Sequence, residues 1–306
     1  MGKMHGHHGH HGHSHDHAHP APALHDKRYT IAIALNLGFV VVEAAAGFMA
    51  NSTALLSDAA HNLSDVLGLA LAGGAAWLAK QSAGAHRTYG FSKATVLAAL
   101  ANAIVLVMAC GGILWEAVAR FYRPAETEAL FVVIVASIGV IINGGTALLF
   151  LAGRKEDVNV RGAYLHMVAD AGVSAAVIVA GAAILFTGAQ WIDPAISIAV
   201  VLLILWGTWG LLRESLDLAL DAAPRNIDVA AVRAFLAARP GVTAVHDLHI
   251  WAMGATEPAL TAHLVRPEGG DDDFLAALTH DIAHDFGITH VTVQIERTAR
   301  DDCGHG

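Results

Sequence analysis

Long stretches of this sequence carry no formal charge, and this feature constrains the fold more than any other. No Asp, Glu, Lys or Arg occurs at residues 94–115, 129–152 or 194–212. Residues 29–78 carry only three charged side chains, those of Glu43, Asp58 and Asp65. An apolar segment of about 20 residues is long enough to cross the ~30 Å hydrocarbon core of a bilayer as a helix. The sequence therefore predicts an integral membrane protein.

Six membrane spans can be placed between short connectors that contain helix-breaking residues. Lys and Arg are concentrated in the connectors on one side of the predicted helices, whereas the other side holds only Arg120 and Arg123. Such a bias is typical of the cytoplasmic side, so we expect both termini there. The predicted spans are 30–50, 54–79, 94–118, 128–152, 162–186 and 192–212.

Charge and residue usage argue against several other classes of protein and draw attention to histidine. A net charge of −9 over 306 residues argues against nucleic acid as a partner. Two cysteines are too few for a disulfide framework. Many of the 20 histidines lie in residues 1–28, a low-complexity cytoplasmic arm that we expect to be disordered and able to bind divalent metal; a purification tag is the alternative. The candidate ligands in this arm are His5, His7, His8, His10, His11 and His13.

The composition changes to that of a soluble domain after Arg213. Helices are predicted at 228–238 and 272–286, and strands at 242–251, 257–266 and 288–296. This α-β-β-α-β order predicts a small α+β domain, for which association with a second copy would supplement a thin core. The expected organisation is an arm (1–28), a six-helix transmembrane domain (29–212), a cytoplasmic domain (213–298) and a tail (299–306).

Two of the predicted spans carry the same His-x-x-x-Asp spacing. Span two contains His61 and Asp65, and span five contains His166 and Asp170. Residues four apart lie one helical turn apart on the same face, so the two packed helices would present two imidazoles and two carboxylates. Such a set of ligands suits tetrahedral Zn²⁺. The alternative is that each histidine only forms a hydrogen bond to a neighbouring helix.

The depth of the two motifs favours a shared site over that alternative. At a rise of about 1.5 Å per residue, Asp65 lies ~17 Å from the outer start of its span and Asp170 ~13 Å from the inner start of its own. The two spans run antiparallel, so both motifs fall near the midplane of the ~30 Å core. Transporters bind their substrates at this depth.

Further polar residues within the spans are expected to have supporting roles. Asp58 lies one turn before His61, where a carboxylate could orient the imidazole or relay protons. Glu43 and Asn62 are interpreted as forming hydrogen bonds between helices.

Taken together, these residues resemble the zinc-exporting group of the cation diffusion facilitator family. The similarity extends from Thr30 to Glu296 and includes the six spans. It rests on the motifs Leu56-Ser57-Asp58-Ala59-Ala60-His61, Arg87-Thr88-Tyr89-Gly90, Asp193-Pro194 and His246-Asp247-Leu248-His249-Ile250-Trp251. The resemblance implies a homodimer in the cell membrane, a bacterial inner membrane, that exchanges cytoplasmic Zn²⁺ for protons by alternating access. It also implies that the transport site is formed by His61, Asp65, His166 and Asp170.

The resemblance further implies a ferredoxin-like, metallochaperone-like cytoplasmic domain that binds regulatory metal. Alternate residues of a strand share one face, which places His290 and Glu296 on the same face of the last strand. The candidate ligands are His249, His263, His290 and Glu296, with Cys303 or His305 as contributors from the tail; half-buried structural histidines are the alternative. In one departure from the family, Phe91 stands where some members have a metal ligand, so no metal site is expected in that loop and His86 is interpreted as a solvated residue.

The expected function is efflux of a divalent metal cation by a secondary transporter that needs no cofactor. The two imidazoles favour Zn²⁺, and the absence of Cys and Met from the four positions argues against Cu(I). Cd²⁺ and Co²⁺ are expected co-substrates, and Ni²⁺ stays open. Metal and protons are expected to compete for the same side chains. A membrane-anchored metal sensor or buffer is the alternative; a metalloprotease is disfavoured because the spans lack a His-Glu-x-x-His motif.

Overall fold

The computed structural model of the protein describes residues 27–151 and 158–298. Within these ranges, α2 to α6 are apolar and long enough to cross a membrane, and α1 contributes a shorter apolar stretch at Ala34–Met49. The predicted fold class, a helical membrane region followed by a small α+β domain, is confirmed. The six helices are α1 (Lys27–Met49), α2 (Thr53–Ala79), α3 (Ala94–Tyr122), α4 (Ala129–Phe150), α5 (Val158–Thr187) and α6 (Ile192–Ala219).

Two helices continue beyond the apolar runs that predicted them. Helix α3 extends to Tyr122 and α6 to Ala219, rather than ending at residues 118 and 212. The length of an apolar run reflects the thickness of the bilayer. A helix can continue beyond that run until the local backbone geometry ends it. For α6 that end comes just before Asp221, which has a left-handed φ of 62° and contacts the Lys93 side chain ahead of α3. The predicted domain limits remain a prediction.

The beginning of α2 is held by a carboxylate from α6. The backbone nitrogen and hydroxyl of Thr53 donate to Asp193 Oδ2 at 2.7 and 2.8 Å, and the Ser52 hydroxyl donates to the other carboxylate oxygen. Ser52 in turn caps α2 by accepting from the backbone nitrogen of Leu55 at 3.2 Å. A negative charge at a helix N-terminus is stabilising, and Asp193 is 1% exposed. These contacts fix the position of α2, which carries half of the predicted metal site.

Apolar packing and one close approach hold α1, α4 and α5 together. A methyl group built at Gly139 of α4 would lie 2.8 Å from Phe39 of α1 and 2.9 Å from the Ser174 hydroxyl of α5. Only glycine therefore fits at this crossing without a shift of the neighbouring side chains. The adjoining buried cluster consists of Phe39, Ala46, Ala50, Ala54, Leu55, Val132, Val135, Ala136 and Val177.

The C-terminal domain has the predicted α-β-β-α-β order. Its strands form one sheet in the order β1-β2-β3. Asp228 caps the first helix, as predicted, by accepting from the backbone nitrogens of Ala230 and Ala231, and Gly287 ends the second helix with a left-handed φ of 70°. The elements are α7 (Val229–Ala237), β1 (Ala244–Gly254), β2 (Glu257–Val265), α8 (Asp272–Phe286) and β3 (His290–Glu296).

Candidate functional site

Helices α2 and α5 bring the two His-x-x-x-Asp motifs together, as the helical spacing predicts. His61 Nε2 lies 3.8 Å from Asp65 Oδ2 and 3.5 Å from Asp170 Oδ1. His166 Nε2 lies 3.2 Å from Asp65 Oδ2 and 3.6 Å from Asp170 Oδ2. Each imidazole thus faces both carboxylates, one from its own helix and one from the other helix.

These separations match the edges of a tetrahedral metal site. Zinc bonds to nitrogen and oxygen of ~2.0–2.2 Å place neighbouring ligand atoms ~3.3–3.6 Å apart at the corners of a tetrahedron. The four nitrogen–oxygen distances of 3.2, 3.5, 3.6 and 3.8 Å lie around that range. The imidazole rings meet edge to face with centroids 6.0 Å apart. His61, Asp65 and Asp170 can direct ligand atoms to within 4.8 Å of one another, and His166 lies beside them, 3.2 Å from Asp65 and 3.6 Å from the other oxygen of Asp170.

The site has one buried ligand and three accessible ones. The Asp170 side chain is 2% exposed, whereas the side chains of His61, Asp65 and His166 are 22%, 32% and 41% exposed. Among the described residues, His61 Nδ1, Asp65 Oδ2 and Asp170 Oδ1 are buried atoms without a hydrogen-bond partner. Buried polar atoms normally have such a partner, so the two oxygens facing the site are suited to a metal ion.

Asp58 lies beside this site, and among the described residues no hydrogen bond joins it to His61. Its hydrogen-bond partners there are the Ser174 hydroxyl at 2.7 Å and the Asn62 amide at 3.5 Å. Glu43 is fully buried and also accepts from Asn62, at 3.2 Å. The sequence pointed to Glu43 as an acid within a span, but not to the amide that it shares with Asp58, which depends on how α1 packs against α2.

A second cluster of histidines and acids lies on the sheet of the C-terminal domain. Glu296 is 6% exposed at the end of β3. His246 Nε2 lies 3.1 Å from one of its carboxylate oxygens, and His263 Nδ1 lies 3.2 Å from the other. These three residues can each direct a ligand atom to a common point, since the atoms lie within 4.8 Å of one another. The cluster could hold a metal ion.

Asp247 extends the cluster and explains why its membership departs from the sequence prediction. Its φ of 51° interrupts the regular alternation of β1, so the consecutive residues His246 and Asp247 both reach the cluster. Asp247 lies 3.5 Å from His263 and 2.9 Å from His249. The hydrogen bond with His249 holds the pKa of the Asp247 carboxyl below its usual value. His246 was therefore missed as a ligand, although it belongs to the His-Asp-Leu-His motif that carried the family resemblance.

The structure does not bring the remaining predicted ligands into this cluster. His249 touches it only through Asp247. His290 begins β3 and Glu296 ends it, and six residues of an extended strand span ~20 Å, too far for one ion. The six histidines of the arm, together with Cys303 and His305, lie outside the described residues.

Two further features lie outside these clusters. Phe91, which stands where some family members have a ligand, lies under the Arg87 guanidinium at 4.6 Å from the ring centre. On α8, the rings of His280 and His284 are 6.4 Å apart. The hydrogen bond from His284 to Asp285 raises the pKa of that exposed imidazole.

Comparisons with known proteins cover both parts of the chain. Residues 29–218 match the family described as the cation efflux transmembrane domain, and residues 224–298 match the cytoplasmic domain of the cation efflux protein. A solved metal-bound C-terminal domain of the CzcD transporter from Cupriavidus metallidurans is 39% identical; the match covers 23% of this chain and 99% of that one, with a TM-score of 0.20.

Relatives similar over most of their length come from several bacteria. The metal cation efflux system protein CzcD of Cupriavidus metallidurans is 39% identical over 92% of this chain and 89% of its own. The zinc transporter ZitB of Escherichia coli is 35% identical over 92% of both chains. The cadmium, cobalt and zinc/H(+)-K(+) antiporter of Bacillus subtilis is 34% identical over 88% of both. The chain therefore belongs to the cation diffusion facilitator family of multi-pass membrane proteins, and it is a secondary transporter for the efflux of divalent metal cations rather than an enzyme.

Proposed function

We propose that this protein exports Zn²⁺ from the cytoplasm in exchange for protons, and that the ion binds to His61, Asp65, His166 and Asp170. The observation that carries the proposal is the set of nitrogen–oxygen distances of 3.2–3.8 Å between the motifs on α2 and α5. Two imidazoles and two carboxylates supply the ligand set of a tetrahedral zinc site. Partial exposure of three of the side chains leaves a path for the ion.

The chemistry of the ligands supports zinc as the main substrate. Imidazole ligands favour Zn²⁺ over Mg²⁺ and Mn²⁺, and the absence of thiolate and thioether ligands disfavours Cu(I). The names of the relatives agree with this choice, since one is called a zinc transporter and another an antiporter of cadmium, cobalt and zinc. Cd²⁺ and Co²⁺ are proposed as secondary substrates; a main substrate of Ni²⁺ or Co²⁺ is the competing assignment.

Exchange with protons follows from the chemistry of the four side chains. Imidazole binds a metal only in its neutral form, so loading the site releases protons and protonation releases the metal. Histidine changes charge near physiological pH. The site loads where the pH is near neutral and empties where the pH is lower, and an inward proton gradient then drives metal out of the cell. Both termini of this cell-membrane protein are proposed to lie in the cytoplasm, on the side where Lys and Arg are concentrated in the connectors.

The test is zinc flux in reconstituted vesicles with an imposed pH gradient. The wild type should move Zn²⁺ against its gradient, and Asp170→Ala should abolish this movement because it removes the buried ligand. His86→Ala is the matched control, since it removes an exposed histidine that lies between α2 and α3. Normal flux in Asp170→Ala would exclude the site. Wild-type flux that ignored the pH gradient would exclude proton coupling.

The cytoplasmic domain is proposed to bind regulatory Zn²⁺ through His246, His263 and Glu296, with Asp247 beside them. A domain with so thin a core gains stability from association, and we propose that the protein is a homodimer. The histidine-rich arm at residues 1–28 is proposed to bind metal on the cytoplasmic side. Cross-linking of the full-length protein tests whether it is a homodimer. Counting the bound metal ions in a variant without residues 1–28 tests whether the arm binds metal.

A membrane-anchored metal sensor is the second candidate, and the cytoplasmic cluster is the observation that favours it. A sensor would bind Zn²⁺ at His246, His263 and Glu296 without moving ions across the bilayer. Zinc-dependent proton movement in the same vesicles distinguishes the two functions. A transporter acidifies or alkalinises the lumen as zinc moves, whereas a sensor leaves the luminal pH unchanged.

A further inference from the structure

Two acidic side chains are buried within the helical region without belonging to the four-residue site. Glu43 on α1 and Asp58 on α2 each have 0% exposed surface. The described part of the chain places no Lys or Arg side chain against either of them. An isolated ionised carboxylate in such an environment is strongly disfavoured and takes up a proton instead. At least one of the two groups must therefore be neutral.

The two groups share one donor and are too close to carry two charges. The Asn62 amide donates to Glu43 Oε2 at 3.2 Å and to Asp58 Oδ1 at 3.5 Å. Two buried negative charges this close to each other are strongly disfavoured. Asp58 also accepts from the Ser174 hydroxyl at 2.7 Å, whereas Glu43 Oε1 has no donor among the described residues. The negative charge is therefore placed on Asp58 and the proton on Glu43.

We infer that Glu43 and Asp58 form a proton-holding pair that exchanges one proton in each transport cycle, in addition to those exchanged at the metal ligands. The inference rests on the proposed zinc/proton exchange and assigns part of its proton stoichiometry. It gives the two acids a role that metal coordination does not explain.

The pair is placed where the charge of the bound ion can act on it. Asp58 lies three residues before His61 on α2, and Ser174, which donates to Asp58, lies four residues after Asp170 on α5. A divalent ion on Asp170 lowers the cost of a second negative charge on the pair, so metal loading expels its proton. When the ion leaves, the pair takes a proton up again.

No other ionisable group of the neighbouring helices compensates the pair. Helix α1 offers Glu43 alone within its described side chains, and α4 contains no ionisable residue. The groups facing it from α2 and α5 are therefore those of the metal site, namely His61, Asp65, His166 and Asp170. On α6, Asp193 is committed to the start of α2.

The experiment measures the number of protons exchanged per zinc ion by the full-length protein in vesicles. The membrane voltage is held at zero with equal potassium on both sides and a potassium ionophore. At a fixed pH difference, we then find the ratio of zinc concentrations across the membrane at which net zinc flux stops. Glu43→Gln keeps the size and hydrogen-bonding capacity of the neutral acid but cannot release its proton. If one proton fewer is exchanged per zinc ion, the ratio of zinc concentrations across the membrane at which net flux stops falls about tenfold at a pH difference of one unit.

Three further proteins complete the test. Asp58→Asn should give the same shift as Glu43→Gln, Glu43→Asp should restore the wild-type balance, and the exposed Glu116→Gln on α3 should not change it. If Glu43→Gln leaves the balancing ratio of zinc concentrations unchanged, the inference is overturned. Loss of zinc binding in that variant overturns it as well, because the glutamate would then be needed only to build the metal site. Absence of gradient-driven flux in the wild type would instead refute the proposed function together with the inference.

Discussion

The protein carries two clusters of histidines and acids that have similar ligands but are built differently. In the helical region, one turn of α2 and one turn of α5 each supply a His and an Asp. In the C-terminal domain, His246, His263 and Glu296 come from three different strands. Each helical pair is positioned by local hydrogen bonding, and a single crossing of two helices completes the site. The sheet cluster depends on the register of three strands and on the irregular residue Asp247.

This difference predicts different consequences for mutation, since the helical site is proposed to bind the transported ion and the sheet cluster a regulatory one. The largest effect is expected for His61→Ala, which removes one of two nitrogen ligands. Transport should fall by at least about 100-fold, because loss even of groups that merely support a ligand costs ~10–100-fold in metal binding. Zinc flux in vesicles measures it. The fold should persist, since the helix interior tolerates alanine well.

The control for that variant is His263→Ala in the sheet cluster. It should retain the capacity for zinc flux at saturating zinc, while zinc binding by the C-terminal domain is lost. If both variants abolished transport equally, the two clusters would not have separate roles.

A second prediction concerns Glu296, the most buried member of the sheet cluster. In Glu296→Gln, zinc affinity at this cluster should fall at least about tenfold, because both His246 and His263 face its carboxylate. Titration with zinc of an Asp170→Ala protein that also lacks residues 1–28 isolates this cluster from the helical site and from the arm. An unchanged affinity would show that the cluster is an ordinary set of structural hydrogen bonds.

The two constructions also explain how far the sequence could predict each site. The spacing of four between His61 and Asp65, repeated at His166 and Asp170, is a property of every helix, and the structure brings these residues together. Strand alternation would place the consecutive residues His246 and Asp247 of β1 on opposite faces. The left-handed φ of Asp247 breaks this rule, so that both reach the cluster, and nothing in the local sequence signals it.

Other features depended on contacts between distant parts of the chain. Glu43 was recognisable as a charge within an apolar run, but the Asn62 amide that it shares with Asp58 depends on the packing of α1 against α2. His290 shares a strand face with Glu296, yet the length of β3 separates them. The face on which a side chain lies can be predicted from the sequence where it depends only on local helical spacing. The prediction is less reliable where it also depends on the register of neighbouring strands.

A third prediction compares two histidines of β1. His246→Ala should weaken zinc binding at the sheet cluster more than His249→Ala does, because His246 faces Glu296 directly while His249 contacts only Asp247. The expected difference is several-fold, within the ~10–100-fold range for loss of supporting groups. The same zinc titration measures it. A larger effect of His249→Ala would restore His249 as the ligand that the family resemblance implied.

The smallest effect is expected for Asp247→Asn, which tests the irregular residue itself. Asparagine tolerates a left-handed φ, so the variant removes the charge while keeping the backbone. The pKa of Asp247 is held below its usual value by the hydrogen bond with His249, which means that the folded state favours the ionised carboxylate. The contribution of the Asp247 carboxylate to stability is therefore present above the unfolded pKa of about 3.9 and is lost as the pH falls through the lowered folded value.

Hydrogen exchange of the β1 amides in the full-length protein measures this contribution. Exchange should be faster in the variant than in the wild type at neutral pH, and the two exchange rates should converge in strong acid. A difference that persisted in strong acid would mean that the asparagine disturbs the backbone at this position, so the charge of Asp247 would not be what links His249 to the cluster.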